Sequence, residues 1–157
     1  MFTIRKFQQG EELQLRELFF QTIHKVNIGD YSLAQVNAWA PQDYDKSEWI
    51  AKINRLQPYV VEDKGIIVAY ADIQPDGYID HFFCHHAHQG KGIGKALLNK
   101  LLAVAEKEKM PRAYAHASKT AMPFFRHQGF TVVKEQQVEI RGEILTNYVV
   151  EKQFQYS

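Results

Sequence analysis

The sequence predicts one mixed α/β domain, in which a mixed sheet carries helices on its faces, and three observations support this. Its 157 residues with 45% apolar side chains are enough for a single packed core, and no stretch reads as a linker, so residues 1–157 form one expected domain. Segments with apolar residues at alternate positions are interleaved with segments of helical period. Some strands are separated by tight turns and others by whole helices, so hairpins and crossovers must coexist in one sheet.

Phe2 to Phe7 alternates as a first strand. Glu11 to Val26 follows with Leu13, Leu18, Phe19, Ile23 and Val26 at helical spacing, an amphipathic helix that Asn27 to Asp30 breaks. Ser32 caps a short helix through Trp39, which Pro41 and the polar residues after it end. Ser47 to Leu56 is a third helix with Trp49 and Ile53 on one side. After Pro58, the strand Tyr59-Val60-Val61 turns at Asp63-Lys64-Gly65 into its partner, Ile66 to Ile73. Beyond the turn Pro75-Asp76-Gly77, Tyr78 to Cys84 reads as one aromatic-rich strand. It leads into a cluster of glycines and a helix from Lys95 to Lys109, which Pro111 stops. Arg112 to Ala117 alternates as a strand, and Thr120 to Gln128 is a short helix with Pro123 in its first turn and Gly129 as its left-handed cap. Thr131 to Ile140 and Ile144 to Phe154 flank Arg141-Gly142-Glu143 and form a closing antiparallel hairpin.

Lys+Arg 19 against Asp+Glu 18 gives a formal net charge of +1, without the basic stripe that nucleic acid requires, so no nucleic-acid partner is expected. The apolar runs, such as Ile66 to Ala71, fall far short of the ~18 residues of a membrane span, and the first residues lack a secretory apolar region. A cytoplasmic protein without a membrane partner is expected. Cys84 is the one cysteine, so no internal disulfide can form.

The chemistry concentrates after the aromatic strand. Gly90, Gly92 and Gly94 open a helix and leave backbone N–H groups unobstructed, while Lys91 and Lys95 add positive charge, so the loop is a cradle for a phosphate or pyrophosphate. The spacing fits neither the Gly-Lys-Ser/Thr loop of nucleoside triphosphatases nor the dinucleotide fingerprint.

Gln89-x-x-Gly92-x-Gly94 resembles the Q/R-x-x-G-x-G/A signature of the GNAT superfamily of acyl-CoA-dependent N-acetyltransferases. A second block, Ser118 with Ala121-Met122-Pro123-Phe124-Phe125-Arg126-His127-Gln128-Gly129-Phe130, is similar to that family's N-x-x-A-x-x-F-Y-x-x-x-G-F pattern. Tyr31-Ser32 to Ala38-Trp39, with the second block, resembles a bacterial subgroup of undefined substrate. The resemblance implies a mostly antiparallel central sheet with helices on both faces, acetyl-CoA as acyl donor, and direct transfer of its acetyl group to a primary amine. The backbone around Gly90, Lys91, Gly92, Ile93, Gly94 and Lys95 would hold the pyrophosphate, with Gln89 in the same signature. Phe82 and Cys84 would offer their exposed backbone to the pantetheine arm, and Ser118, in place of the usual Asn, would hydrogen-bond it. Phe124 and Phe125 would pack on the donor. The alternative is a non-enzymatic acyl-CoA-binding module.

That alternative arises at Phe125, where the family carries a tyrosine that protonates the departing thiolate. A thiolate with a pKa of ~8.5 can leave without full protonation, so the loss costs less than the usual ~10²-fold of acid catalysis. Tyr31 is a substitute acid, against the simpler role of a packed ring with a satisfied hydroxyl. Asp80 is the candidate general base, because strand alternation puts it on the face of Phe82 and Cys84; a structural ion pair is the competing role. His81, on the opposite face, is the reserve with an unperturbed pKa of ~6.5.

His81, His85, His86 and His88 beside Cys84 lack any recognised metal-ligand spacing, so no metal is expected. Cys84 reads as a small apolar filler rather than a nucleophile. Tyr31 and Trp39 fall where GNAT members build the acceptor pocket, whereas Trp49 reads as core. The expected acceptor is a small-molecule or peptide amine, and the chain is either a monomer or a homodimer.

Overall fold

The computed structural model describes residues 1–156, which form eight strands and five α-helices. In chain order these are β1 (Phe2–Lys6), α1 (Glu12–Lys25), α2 (Leu33–Trp39), α3 (Lys46–Leu56), β2 (Tyr59–Asp63), β3 (Ile66–Ala71), β4 (Tyr78–Ile79), β5 (Phe82–Cys84), α4 (Ile93–Lys107), β6 (Arg112–Ser118), α5 (Met122–His127), β7 (Thr131–Ile140) and β8 (Glu143–Gln153). Short 3₁₀ turns at Asn27–Gly29 and His86–His88 occupy positions expected as irregular loop.

Local chemistry sets most boundaries. Ser32 and Gln35 form a reciprocal capping box at the start of α2. Asp45 accepts the amides of Ser47 and Glu48, which starts α3 one residue earlier than expected. Helix α4 begins at Ile93 rather than Lys95 because Gly92, at φ +78°, is its N-cap. It ends at Lys107 because Lys109 turns left-handed at φ +55° and the Met110 amide closes back on Ala105 O at 2.9 Å. Helix α5 is shorter than its expected span, and Gly129 at φ +95° turns the chain out of it. In the closing hairpin Arg141 and Gly142 both have positive φ, the signature of a type I′ turn.

The expected strand Tyr78 to Cys84 is broken in two, and this break organises the molecule. Its first part, β4, runs parallel to β6, with Tyr78 opposite Tyr114 and Ile79 opposite Ala115. Its second part, β5, runs antiparallel to β3, with Phe82 opposite Ala71 and Cys84 opposite Ala69. The strands therefore fall into two four-stranded sheets, β1-β2-β3-β5 and β4-β6-β8-β7, antiparallel throughout except at β4/β6. The cause is Asp72, fully buried just after β3. Its carboxylate accepts the His81 amide at 2.6 Å and the Asp80 amide at 3.4 Å, while its own amide donates to His81 O at 3.2 Å. The side chain replaces ladder partners that a continuous strand would need.

Side chains alternate to opposite faces and feed two cores. Ala69 and Ala71 of β3 join Leu97, Leu98, Leu101, Phe125 and Phe130 on the side of α4 and α5. Ile67 and Tyr70 join Leu15, Phe19, Ile23, Val36, Trp49 and Ile53 on the side of α1, α2 and α3. No helix among the described residues is long and apolar enough to cross a membrane.

Candidate active site

Where β5 stays on β3 and β6 stays on β8, the two sheets diverge and open a cleft of about 910 Å³. Hydrogen bonds from His85 N to Val68 O and from Asp72 N to His81 O fix the ladder phase, so residues 81, 83 and 85 bond to the first sheet. The backbone groups of Phe82 and Cys84 therefore point the other way, into the gap. Gln89 Nε2 and Thr22 Oγ1 cap the Cys84 carbonyl at 2.7 and 3.1 Å, which leaves the Phe82 and Cys84 amides as donors toward the cleft. Gln89 is thus a brace between the loop and the strand.

The glycine loop closes one end. Gly90 at φ +77° and Gly92 at φ +78° occupy backbone that side chains rarely adopt, and the space where a Cβ would sit is open at both. The first intrahelical bond of α4 runs from Ala96 N to Gly92 O at 3.0 Å, so the amides before Ala96 lack helical partners and face outward as an anion cradle. Gly94, in the first turn, lies against Phe124, to which a Cβ would approach within 3.6 Å. Lys95 lines the cleft with Gly90, Gly92 and Gly94, but the exposed Lys91 does not. The Ile93 side chain is buried in the core, so only its backbone remains for a ligand. Ser118 Oγ accepts Ala121 N at 3.0 Å and Asn27 Nδ2 at 3.2 Å, which leaves its own proton free to donate into the cleft.

Phe82, Phe124 and Phe125 form one aromatic wall, with ring centroids 5.5–5.6 Å apart. Phe125 is only 2% exposed and also packs on Phe130, so its ring serves the core as well as the cleft. Burial pushes the Cys84 thiol up to about 11, so it stays protonated at neutral pH and is a poor nucleophile.

The opposite wall corrects several expectations. Asp80 does not share a face with Phe82 and Cys84, because the break after it interrupts the alternation. Its carboxylate meets Lys52 of α3 at 3.6 Å, whereas Phe82 and Cys84 pack against the α4 side. His81 is buried among Phe19, Trp49, Tyr70 and Phe83, its Nδ1 sits 2.8 Å from the Tyr70 hydroxyl, and burial drives its pKa far down. The titration near neutrality that made it a reserve base is therefore lost. The Tyr31 hydroxyl donates to Thr146 O at 2.6 Å and accepts Lys119 N at 2.8 Å, and burial raises its pKa, so its proton is committed to the backbone. Trp39, half-buried, lies edge-on to Tyr31 at 5.7 Å and borders the cleft with it. Trp49 is core, its indole N–H bonded to Glu12 O at 2.7 Å.

Of the residues expected at the site, all but Lys91 and Ile93 line this one cleft. Sequence reasoning missed Lys52, Tyr78, His116 and Asn147, which also line it. Burial pushes Tyr78 up to about 12 and lowers His116, whose rings meet at 5.2 Å where β4 and β6 diverge. The Asn147 Oδ1 is buried without a protein partner. For Tyr78, His116 and Asn147, polar side chains on strands were the available signal, whereas Lys52 on α3 offered none. Among the described residues no group of three His, Cys, Asp or Glu side chains is gathered as a metal cage.

The model of the Acetyltransferase (GNAT) domain matches residues 27–152. The uncharacterized N-acetyltransferase YafP of Escherichia coli K12 is 34% identical over 152 residues, covering 92% of this chain and 91% of that protein. The crystal structure of a GCN5-related N-acetyltransferase from Rhodopseudomonas palustris superposes with a TM-score of 0.92 at 25% identity, over 97% of this chain and 95% of that one. The PaiA N-acetyltransferase of Thermoplasma acidophilum, solved in complex with coenzyme A, shares the fold with a TM-score of 0.77 at 17% identity, over 98% and 99% of the two chains. A strand divided between two sheets, a glycine cradle at one end of the gap and these matches agree: the chain belongs to the GNAT acetyltransferase family.

Proposed function

We propose that the cleft receives acetyl-CoA with its pyrophosphate on the amides between Gly90 and Lys95 and its pantetheine arm against Phe82 and Cys84, and passes the acetyl group directly to a primary amine of a small molecule or peptide. The observation that carries this reading is the outward-facing pair of amides on β5, set between the glycine cradle and the wall holding Asp80, Tyr31 and Trp39. A thioester carbonyl beside the Cys84 amide gains a hydrogen bond that strengthens as attack turns its oxygen into an oxyanion, an effect worth ~3 kcal/mol per donor elsewhere. Family membership favours transfer over the non-catalytic binding module.

An alkylamine attacks only when deprotonated, and Asp80 is the cleft carboxylate proposed to take that proton, directly or through water. Lys52 holds it in place. Tyr31 shapes the acceptor wall with Trp39 and keeps its own proton on Thr146. With Phe125 at the family's tyrosine position, the thiolate leaves without a phenol to protonate it. Calorimetric titration of acetyl-CoA, followed by thiol release with an amine panel, tests the reading; no binding by folded protein defeats it.

A further inference from the structure

One buried charge in the cleft has no role in this scheme. Arg16 of α1 is 5% exposed, lines the cleft, and stacks 4.0 Å from the Tyr44 ring. A guanidinium carries five N–H donors, yet the one hydrogen bond it makes among the described residues runs from Nη2 to Pro41 O, at 2.6 Å. Arg141, exposed on the β7–β8 turn, reaches the same end of the cleft and donates from Nη1 to Ala38 O at 2.6 Å. Neither has a carboxylate within 4.0 Å among the described residues, where the ion pairs involve Met1, Arg5, Lys52 and Arg112. Asp43 and Glu48 also border the cleft but are exposed, and Asp45 is spent on the amides that start α3. A largely desolvated cation without a counter-charge is costly, and a second arginine nearby adds to that cost.

We infer that Arg16 and Arg141 receive a carboxylate of the acceptor, so that the amine acetylated belongs to a molecule carrying both groups. The inference rests on the transfer reading above. The Phe19 ring lies 5.3 Å from the Arg16 guanidinium and 5.5 Å from the ring of His81, the neighbour of Asp80. Arg16 and the His81 ring both contact the Phe19 ring, so a carboxylate at Arg16 and an amine at Asp80 engage separate parts of the acceptor. That separation fits the side-chain amine of a diamino acid, or the terminal amine of a short peptide, better than an amine and carboxylate on one carbon.

The experiment pairs acceptors that differ only in the carboxylate, lysine with lysinamide and glycylglycine with glycylglycinamide, and measures kcat/KM by thiol release. The expected preference for the acid is about tenfold or more, falling toward unity in Arg141→Gln and Arg16→Gln. Equal use of acid and amide by the wild type, or an unchanged ratio in the variants, overturns the inference. Arg141→Gln keeps the test valid should Arg16→Gln fail to fold. A second readout does not require turnover: succinate, against chloride at equal ionic strength, should raise the melting temperature of the wild type but not of Arg141→Gln. An equal rise in both overturns the site. Loss of acetyl-CoA binding, by contrast, defeats the transfer reading itself while the succinate comparison still decides the anion site.

Discussion

The buried carboxylate of Asp72 accepts the backbone N–H of His81 at 2.6 Å, across the point where one strand leaves one sheet for the other. Gln74 Nε2 bonds its second oxygen at 2.7 Å. Even with these donors, burial raises the Asp72 pKa to about 6. The clamp that opens the cleft is therefore a titrating group.

A carboxyl that holds its proton more tightly in the folded chain contributes stability that is complete below about 3.8, its unfolded value, and lost as the pH rises through about 6. The stability of the wild type minus that of Asp72→Asn should thus rise by about 2–3 kcal/mol as the pH falls from 7 to 4. Denaturant unfolding at several pH values measures this difference, in which the opposite trend of Glu11, held low by Arg5, cancels. A difference that is flat with pH removes Asp72 as the titrating clamp.

Gly92→Glu should abolish acetyl-CoA binding, because its side chain and charge would occupy the open space of the cradle. The left-handed backbone at φ +78° adds a cost of about 1 kcal/mol. Calorimetry on a variant that retains its circular dichroism spectrum decides; undiminished affinity would place the pyrophosphate elsewhere.

Asp80→Asn should lower turnover by about 10²-fold while leaving the dissociation constant of acetyl-CoA within a factor of about two. The rate deficit should shrink at high pH, where the amine arrives already deprotonated. Turnover equal to the wild type's at neutral pH would assign Asp80 to its ion pair with Lys52 alone.

Phe125→Tyr should raise the rate of thiol release with an accepted amine, by returning a phenol to the family's position. The ring is buried, so a hydroxyl that finds no partner costs about 1–3 kcal/mol, read as a lower melting temperature. A stable variant with no gain in rate with any acceptor would show that the lost acid is not missed.

Much of the fold was legible where short-range rules decide it. The Ser32 cap of α2, the left-handed Gly129 and the compact turn at Arg141-Gly142 are local and could be read, whereas the Gln35 half of the capping box and the positive φ of Arg141 were not. The glycine turn that opens α4, with its amides facing outward, was legible for the same reason. The break at Asp80-His81 was not, because Tyr78 to Cys84 reads as an unbroken β-rich run and its interruption comes from a carboxylate eight residues upstream. That error carried the Asp80 side chain to the wrong face and left His81 with a titration that burial removes. Arg16 was invisible for a related reason: a cation at helical spacing reads as a solvated face until the rings of Phe19, Tyr44 and Trp49 close over it.

The division of strands between two sheets also bears on the order in which the chain assembles. The β2–β3 and β7–β8 hairpins close short turns and pay little loop entropy. The parallel pairing of β4 with β6 must wait for the whole of α4 to form between them, and it spans only two residues on each side. The cleft is bounded by a seam only two residue pairs long, so heating or denaturant should open it before the hairpins melt, and the chain should lose the cleft while keeping most of its secondary structure.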